Sequence, residues 1–192
     1  MIWNEILCLG DSITTGARDR YHRSYPMQLS KILLEQTGEF YFCHDAGICG
    51  DTSSHILRRV WSEVNKYSNS RIAILMIGTN DTQLEIPKHI YEDNLRQIVS
   101  TIQLHKMHLI VSKLPKLRFT PLYLKQTSLI SIYNKVIDSL SKKMNFEVCE
   151  LVDTEKYYID GVHYNHEGYI KLAEIFADKV LRLQEIYNGK QF

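Results

Sequence analysis

Five short apolar runs, at residues 6–9, 40–43, 71–78, 108–112 and 146–150, alternate with longer segments in which apolar residues recur every three or four positions. No other feature of the chain restricts its fold as much. The first helical segment carries Met27, Leu29, Ile32 and Leu33 between Pro26 and a stop at Gly38, and the second carries Ile56, Leu57, Val60, Trp61 and Val64. Leu95, Ile98, Val99 and Ile102 mark the third, and Leu129, Ile132, Tyr133, Val136, Ile137 and Leu140 the fourth. A last helix is expected over about residues 167–187. Parallel neighbours need a crossover long enough for a helix, and strands covered on both faces read as unbroken apolar runs. The pattern therefore predicts an α/β fold, a three-layer α/β/α sandwich with a five-stranded parallel sheet. The longest loop-like stretch is residues 113–127.

A chain of 192 residues, 44% hydrophobic and 23% charged, suits a single domain with a substantial core. Its formal net charge of +1 provides no overall field that would favour nucleic acid. Cys8, Cys43, Cys49 and Cys149 lack C-x-x-C spacing, which predicts reduced, mostly buried thiols. No leader and no apolar run of membrane-spanning length is seen, so the expectation is a cytoplasmic protein without an integral membrane segment. No metal or other cofactor is expected.

In parallel sheets of this kind ligands bind beyond the carboxyl ends of the strands. Four turns should meet there: "GDS" at residues 10–12, "AGICGDTS" at 46–53, "GTND" at 78–81 and "DGVHYNHEG" at 160–168. Acyl transfer needs a hydroxyl nucleophile, a base, a group that orients the base, and donors for the developing oxyanion. Ser12 suits the first role and His163 the second. Asp160, three residues before His163, can reach the imidazole and fix its tautomer. The backbone N–H of Ser12, the backbone N–H of Gly50, where a side chain would crowd the substrate, and the amide of Asn80 are donors of the right kind. Asp11 reads as a turn-stabilising residue, Asp51, Thr52 and Ser53 as a helix cap, and Asn80 and Asp81 also suit a turn or cap.

These four blocks, in this order and spacing, resemble those of the SGNH hydrolases, also called GDSL-type esterases and lipases. The resemblance spans nearly the whole chain. It implies Ser12 as nucleophile, Asp160 and His163 as the rest of a triad, and the Ser12 amide, Gly50 and Asn80 as an oxyanion hole. It also implies a flavodoxin-like sheet without the G-x-S-x-G elbow of the larger α/β-hydrolases. Two positions depart from the family pattern: Asp45 stands where the second block often has Asn, and Tyr164 follows His163 where many members carry proline.

Other readings use the same residues. A flavodoxin-like phosphate- or flavin-binding protein would place "DSITTG" after its first strand without needing Asp160 and His163. A metal hydrolase would recruit Asp160, His163 and His166, and an acyltransferase would use the triad itself. For a serine esterase, the substrate is a small-molecule, lipid or glycan ester: a lysophospholipid, a short-chain acyl ester or thioester, or an O-acetylated glycan. Arg18, Arg20 and Arg23 in one loop and Lys113, Lys116, Arg118 and Lys125 in another, with Asp19 the only acid in either, suggest a substrate with an anionic part. Leu114, Leu117, Phe119, Leu122, Tyr123 and Leu124 suggest the lining of an acyl pocket. The candidate substrate-binding residues are Arg18, Arg20, Lys116, Phe119 and Tyr123.

Overall fold

The computed structural model describes residues 5–21, 23–115 and 124–188. Its strands are β1 (Glu5–Gly10), β2 (Phe42–Gly47), β3 (Ile72–Met76), β4 (His108–Ser112) and β5 (Glu147–Cys149). They form one parallel sheet in the order β2-β1-β3-β4-β5. The helices are α1 (Tyr25–Thr37), α2 (Ser53–Lys66), α3 (Thr79–Gln83), α4 (Lys88–Leu104), α5 (Leu124–Met144) and α6 (His166–Asn188).

Both faces of the sheet are buried, and the side-chain alternation of a strand divides them cleanly. Leu7 and Leu9 of β1 pack with Val60, Leu95, Val99 and Tyr133 from α2, α4 and α5. Ile6 and Cys8 pack on the other face with Tyr25, Leu29, Leu172 and Phe176 from α1 and α6. The result is the expected α/β/α sandwich. Burying one such aliphatic or aromatic side chain contributes about 1.5–3 kcal/mol, so these two apolar layers fix which strand ends converge.

Several local expectations are corrected. β2 begins at Phe42 and continues through His44 and Asp45 to Gly47, whereas the apolar run lies at residues 40–43. As an edge strand it has no need of two apolar faces: Phe40 and Phe42 are exposed, and His44 bonds Glu5 at 3.0 Å. Trp61 is 60% exposed, because Ile56, Val60 and Val64 already define the buried face of α2. Met27 and Ile132 likewise lie outside the core. Helix α5 starts at Leu124, inside the stretch read as loop, and the short α3 was unforeseen. Leu114 packs in the core with its backbone bonded on both sides to Asn134, and it lines a small cavity with Asp11, Ile13 and Thr79. The cysteines are free; Cys8 and Cys149 are buried and Cys49 is exposed. Among the described residues no helix is long and apolar enough to cross a membrane.

Candidate active site

The turn after β1 begins with a close approach. A Cβ on Gly10 would lie 2.1 Å from Thr14 Oγ1 and 2.6 Å from the Met76 carbonyl, so only glycine lets the chain turn there. Asp11 then folds back, its Oδ1 accepting the Ile13 N–H at 2.9 Å, while Ile13 plugs into the core. Ser12 is left partly exposed between two anchored neighbours. The Ala17 N–H and the Thr15 hydroxyl both donate to the Ser12 carbonyl, at 3.0 and 2.9 Å.

His163 comes from the far end of the chain on a short hairpin-like segment. Tyr158 and Tyr164 pair as an antiparallel bridge, and the Ile159 N–H donates to the His163 carbonyl at 2.9 Å. Asp160 and Gly161 make the tip. One oxygen of Asp160 accepts the N–H groups of Val162 and His163 at 3.0 and 2.8 Å; the other meets His163 Nδ1 at 2.8 Å. The opposite ring nitrogen, Nε2, lies 2.9 Å from Ser12 Oγ. A carboxylate facing Nδ1 keeps the proton there, so Nε2 accepts from the Ser12 hydroxyl. Partial burial works to raise the Asp160 pKa, but the His163 N–H, the His163 ring and the Val162 N–H outweigh it and hold the carboxyl below its ordinary value. Arg18, in the left-handed region at φ 71°, places its Nε 3.7 Å from Asp160 Oδ2, so it reaches the acid of this chain of bonds.

The proposed oxyanion donors lie on neighbouring turns. The Ile48 N–H donates to the Gly10 carbonyl at 3.1 Å, which ties the β2 exit to the β1 exit. Asp45 closes its own turn by accepting the Gly47 N–H at 3.0 Å, and burial raises its pKa. Gly50 sits at φ +83°, a conformation that disfavours a side chain. A Cβ there would meet no protein atom within 4 Å, so the protein's own requirement for glycine at this position is conformational. Neither the Ser12 nor the Gly50 N–H has an acceptor among the described residues. Asn80, on α3, donates from Nδ2 to the Asp51 carbonyl at 2.8 Å and more weakly to Asp11 Oδ2 at 3.4 Å. Thr52 caps α2 as expected, its N–H and hydroxyl both meeting His55 Nδ1, at 3.1 and 3.0 Å.

Beneath these turns lies a polar layer that sequence reasoning missed. Arg59 of α2 donates to Asp51 Oδ2 at 2.8 Å, to the Gly10 carbonyl at 3.1 Å, to the Ala46 carbonyl at 2.8 Å and to Glu63 at 3.2 Å. Buried Asp81 accepts both the N–H and the hydroxyl of Ser53, at 2.9 and 2.5 Å, and Asn94 donates to Ser53 and Ser54. Tyr169 donates to the Ala17 carbonyl at 2.9 Å, joining α6 to the loop that carries Ser12. Burial, with Asp81 and Asp51 nearby, raises the Asp11 pKa to about 7 against the pull of the Ile13 N–H. Hydrogen-bonding capacity at helical spacing was the one available signal for Arg59, and it reads like any exposed basic pair beside Arg58.

The remaining predicted residues divide. Arg20 is exposed, its guanidinium 4.7 Å from the Tyr21 ring centroid. Lys113 is neutralised by Glu150 and Asp138, at 2.7 and 2.9 Å. Lys116, Phe119 and Tyr123 lie outside the described residues. His166 turns to buried Asp19, its Nδ1 3.7 Å from the carboxylate, instead of joining Asp160 and His163.

Known proteins place this geometry in context. The model of the GDSL-like lipase/acylhydrolase family matches residues 8–170. An arylesterase from Vibrio mimicus is 25% identical over 182 residues, covering 93% of this chain and 88% of its own. The lipase/acylhydrolase of Enterococcus faecalis superposes with a TM-score of 0.79 at 24% identity, over 92% of this chain and 94% of that one. An acetyl xylan esterase from Geobacillus stearothermophilus gives 0.76 at 19% identity, with the same coverage. Those two likenesses are of fold. The family match extends from the first strand to the start of the last helix, and the chain belongs to the GDSL-like lipase/acylhydrolase family, the hydrolases of ester bonds.

Proposed function

We propose that this protein hydrolyses carboxylic esters carrying a short acyl group through an acyl-enzyme on Ser12. One observation carries the reading: an unbroken chain of hydrogen bonds from Ser12 Oγ through His163 to Asp160, at 2.9 and 2.8 Å. Ser12 Oγ attacks the ester carbonyl while His163 Nε2 takes its proton, and Asp160 stabilises the imidazolium without itself becoming protonated. The carbonyl oxygen, now an anion, is met by the N–H groups of Ser12 and Gly50, with Asn80 as third donor once its long 3.4 Å contact to Asp11 Oδ2 is given up. Each such donor stabilises the transition state by about 3 kcal/mol. His163 returns the proton to the leaving alcohol, and water repeats the sequence to release the acid.

The substrate class rests on support of a different kind. The Vibrio mimicus relative is named an arylesterase and the Geobacillus stearothermophilus structure an acetyl xylan esterase. The second name supports a small acyl group, and the two together support varied alcohols. The test is intact-mass spectrometry after treatment with a small fluorophosphonate, alongside hydrolysis of phenyl esters of increasing acyl length. The expected result is one adduct per chain on Ser12, absent in Ser12→Ala and slowed in His163→Ala, with acetate turned over fastest. A folded protein that takes up no adduct would overturn the mechanism, and a preference for long acyl chains would overturn the substrate class.

A further inference from the structure

The loop after Ser12 and the segment that carries Asp160 and His163 enclose a second feature. Asp19, Arg20, Lys156, Ile159, Asn165, His166 and Glu167 line an open pocket of about 360 Å³. Ile159 is the residue before Asp160, and Arg20 follows two residues after Arg18, which reaches Asp160 at 3.7 Å. The pocket is thus lined from the two segments that carry Arg18 and Asp160, and it lies beside the Ser12–His163–Asp160 chain.

Its charges are unequally available. Asp19 is withdrawn: its side chain is 1% exposed, one oxygen accepts the Arg23 N–H at 3.0 Å, and that same oxygen faces His166. Asn165 is spent on the Gly168 N–H and the Lys156 carbonyl. Arg20 and Lys156 are exposed, and neither has a carboxylate partner among the described residues. Each lies against a tyrosine ring, Arg20 at 4.7 Å from Tyr21 and Lys156 at 4.8 Å from Tyr157. Tyr21 in turn packs edge-on to His166, with ring centroids 5.1 Å apart. Glu167 is the one acid that remains open at the rim, against two such cations.

Resting on the esterase reading, we infer that this pocket takes a small anionic substituent, a carboxylate or phosphate, carried by the same molecule as the ester. Arg20 and Lys156 supply the charge, and the tyrosine rings hold both cations at the pocket wall. A volume at the low end of ligand pockets fits such a group and its immediate carbons, and leaves no room for a long acyl chain.

The test compares kcat/KM for 4-acetoxybenzoate and phenyl acetate in the wild type and in Arg20→Gln/Lys156→Gln. The ratio of anionic to neutral substrate is expected to fall about fivefold in the double variant, the scale of a partly exposed ion pair, and to fall in the wild type as salt is raised. Calorimetric titration of Ser12→Ala with phenyl phosphate reads the pocket whatever happens at Ser12; binding that weakens when Arg20→Gln/Lys156→Gln is added supports the inference. An unmoved ratio together with unmoved phenyl phosphate binding overturns it, while Ser12 labelling by fluorophosphonate leaves the esterase reading standing. Cosedimentation with phosphatidylglycerol vesicles, lost in the double variant while phenyl phosphate fails to bind, would assign these cations to a lipid surface and also overturn it.

Discussion

Arg59→Met removes the side chain that ties the β1 and β2 exits together. In its absence the Asp51 carboxylate, 10% exposed, and the carbonyls of Gly10 and Ala46 lose their shared donor. Breaking a buried ion pair from one side costs ~3–5 kcal/mol, and because the Arg59 side chain is 16% exposed, the lower end, about 3 kcal/mol, applies. For a chain of this size that lowers Tm by roughly 10 °C. The consequence for activity is separate and larger in proportion. Asp51 holds Asn80 through its carbonyl and adjoins Gly50, so a loosened turn displaces two proposed oxyanion donors together. A shift of about 1 Å at such a site costs ~100-fold in rate, and it appears in kcat because the lost contacts belong to the transition state. Phenyl acetate kinetics measured well below the variant's Tm, with thermal unfolding in parallel, separate the two effects. Arg59→Lys should fall between, since an ammonium cannot span Asp51 and both carbonyls as the guanidinium does. Glu63→Gln, which removes the partner of Arg59 farthest from the turns, should leave kcat near the wild-type value. If Arg59→Met lost its stability but kept its kcat, the side chain would hold only the fold and this reasoning would be wrong.

Three further outcomes follow from the same geometry. Asp11 has a folded pKa of about 7, above its unfolded value, so its contribution to stability is present at low pH and is lost as pH rises through about 7. Asp11→Asn should therefore flatten the fall in urea midpoint between acid and neutral pH and stabilise the protein above neutrality, by at most ~4 kcal/mol. Gly50→Ala places a methyl at φ +83°; the expected cost is ~1 kcal/mol of stability by urea titration, with a much larger loss in kcat because the methyl enters the space before the Gly50 N–H. Asp160→Asn should lower kcat by ~10⁴ and slow fluorophosphonate labelling of Ser12 as well, since both need His163 in the correct tautomer. Because the Asp160 carboxyl is held below its ordinary value, its contribution to stability in the wild type is lost only as pH falls through that lowered pKa.

How much of this was legible in the sequence depended on the range of the interactions involved. Strands buried on both faces announced themselves, since β1, β3 and β4 are apolar at nearly every position. β2 announced its presence but not its bounds, because an edge strand is defined by its pairing with β1 and its own composition is mixed. Trp61 misled for a related reason: helical spacing marks a stripe, and only the neighbouring helix decides how wide the buried stripe is. Trp61 meets His105 at a ring distance of 4.9 Å and otherwise faces outward.

The candidate site shows the same division at closer range. Ser12, Gly50, Asp160 and His163 lie in short turns punctuated by glycine and Asn80 just past Gly78 in the first turn of α3, and a strand exit with little apolar work to do advertises its polar residues. The groups that position them sit on helices, where their partners are remote. Arg59 reaches Asp51 eight residues away but Gly10 forty-nine residues away, and Tyr169 meets Ala17 across 152. Nothing in the local pattern distinguishes such an arginine from a solvated one. What distinguishes it is that its guanidinium reaches two strand-end carbonyls at once, Ala46 and Gly10, the latter already met by the Ile48 N–H, and a carbonyl buried without a donor costs more than most single contacts contribute. In a sheet whose ends must stay open for a substrate, a side chain from a flanking helix can supply such donors without closing the edge, and the Arg59 guanidinium does so here for Ala46 and Gly10 while pairing with Asp51.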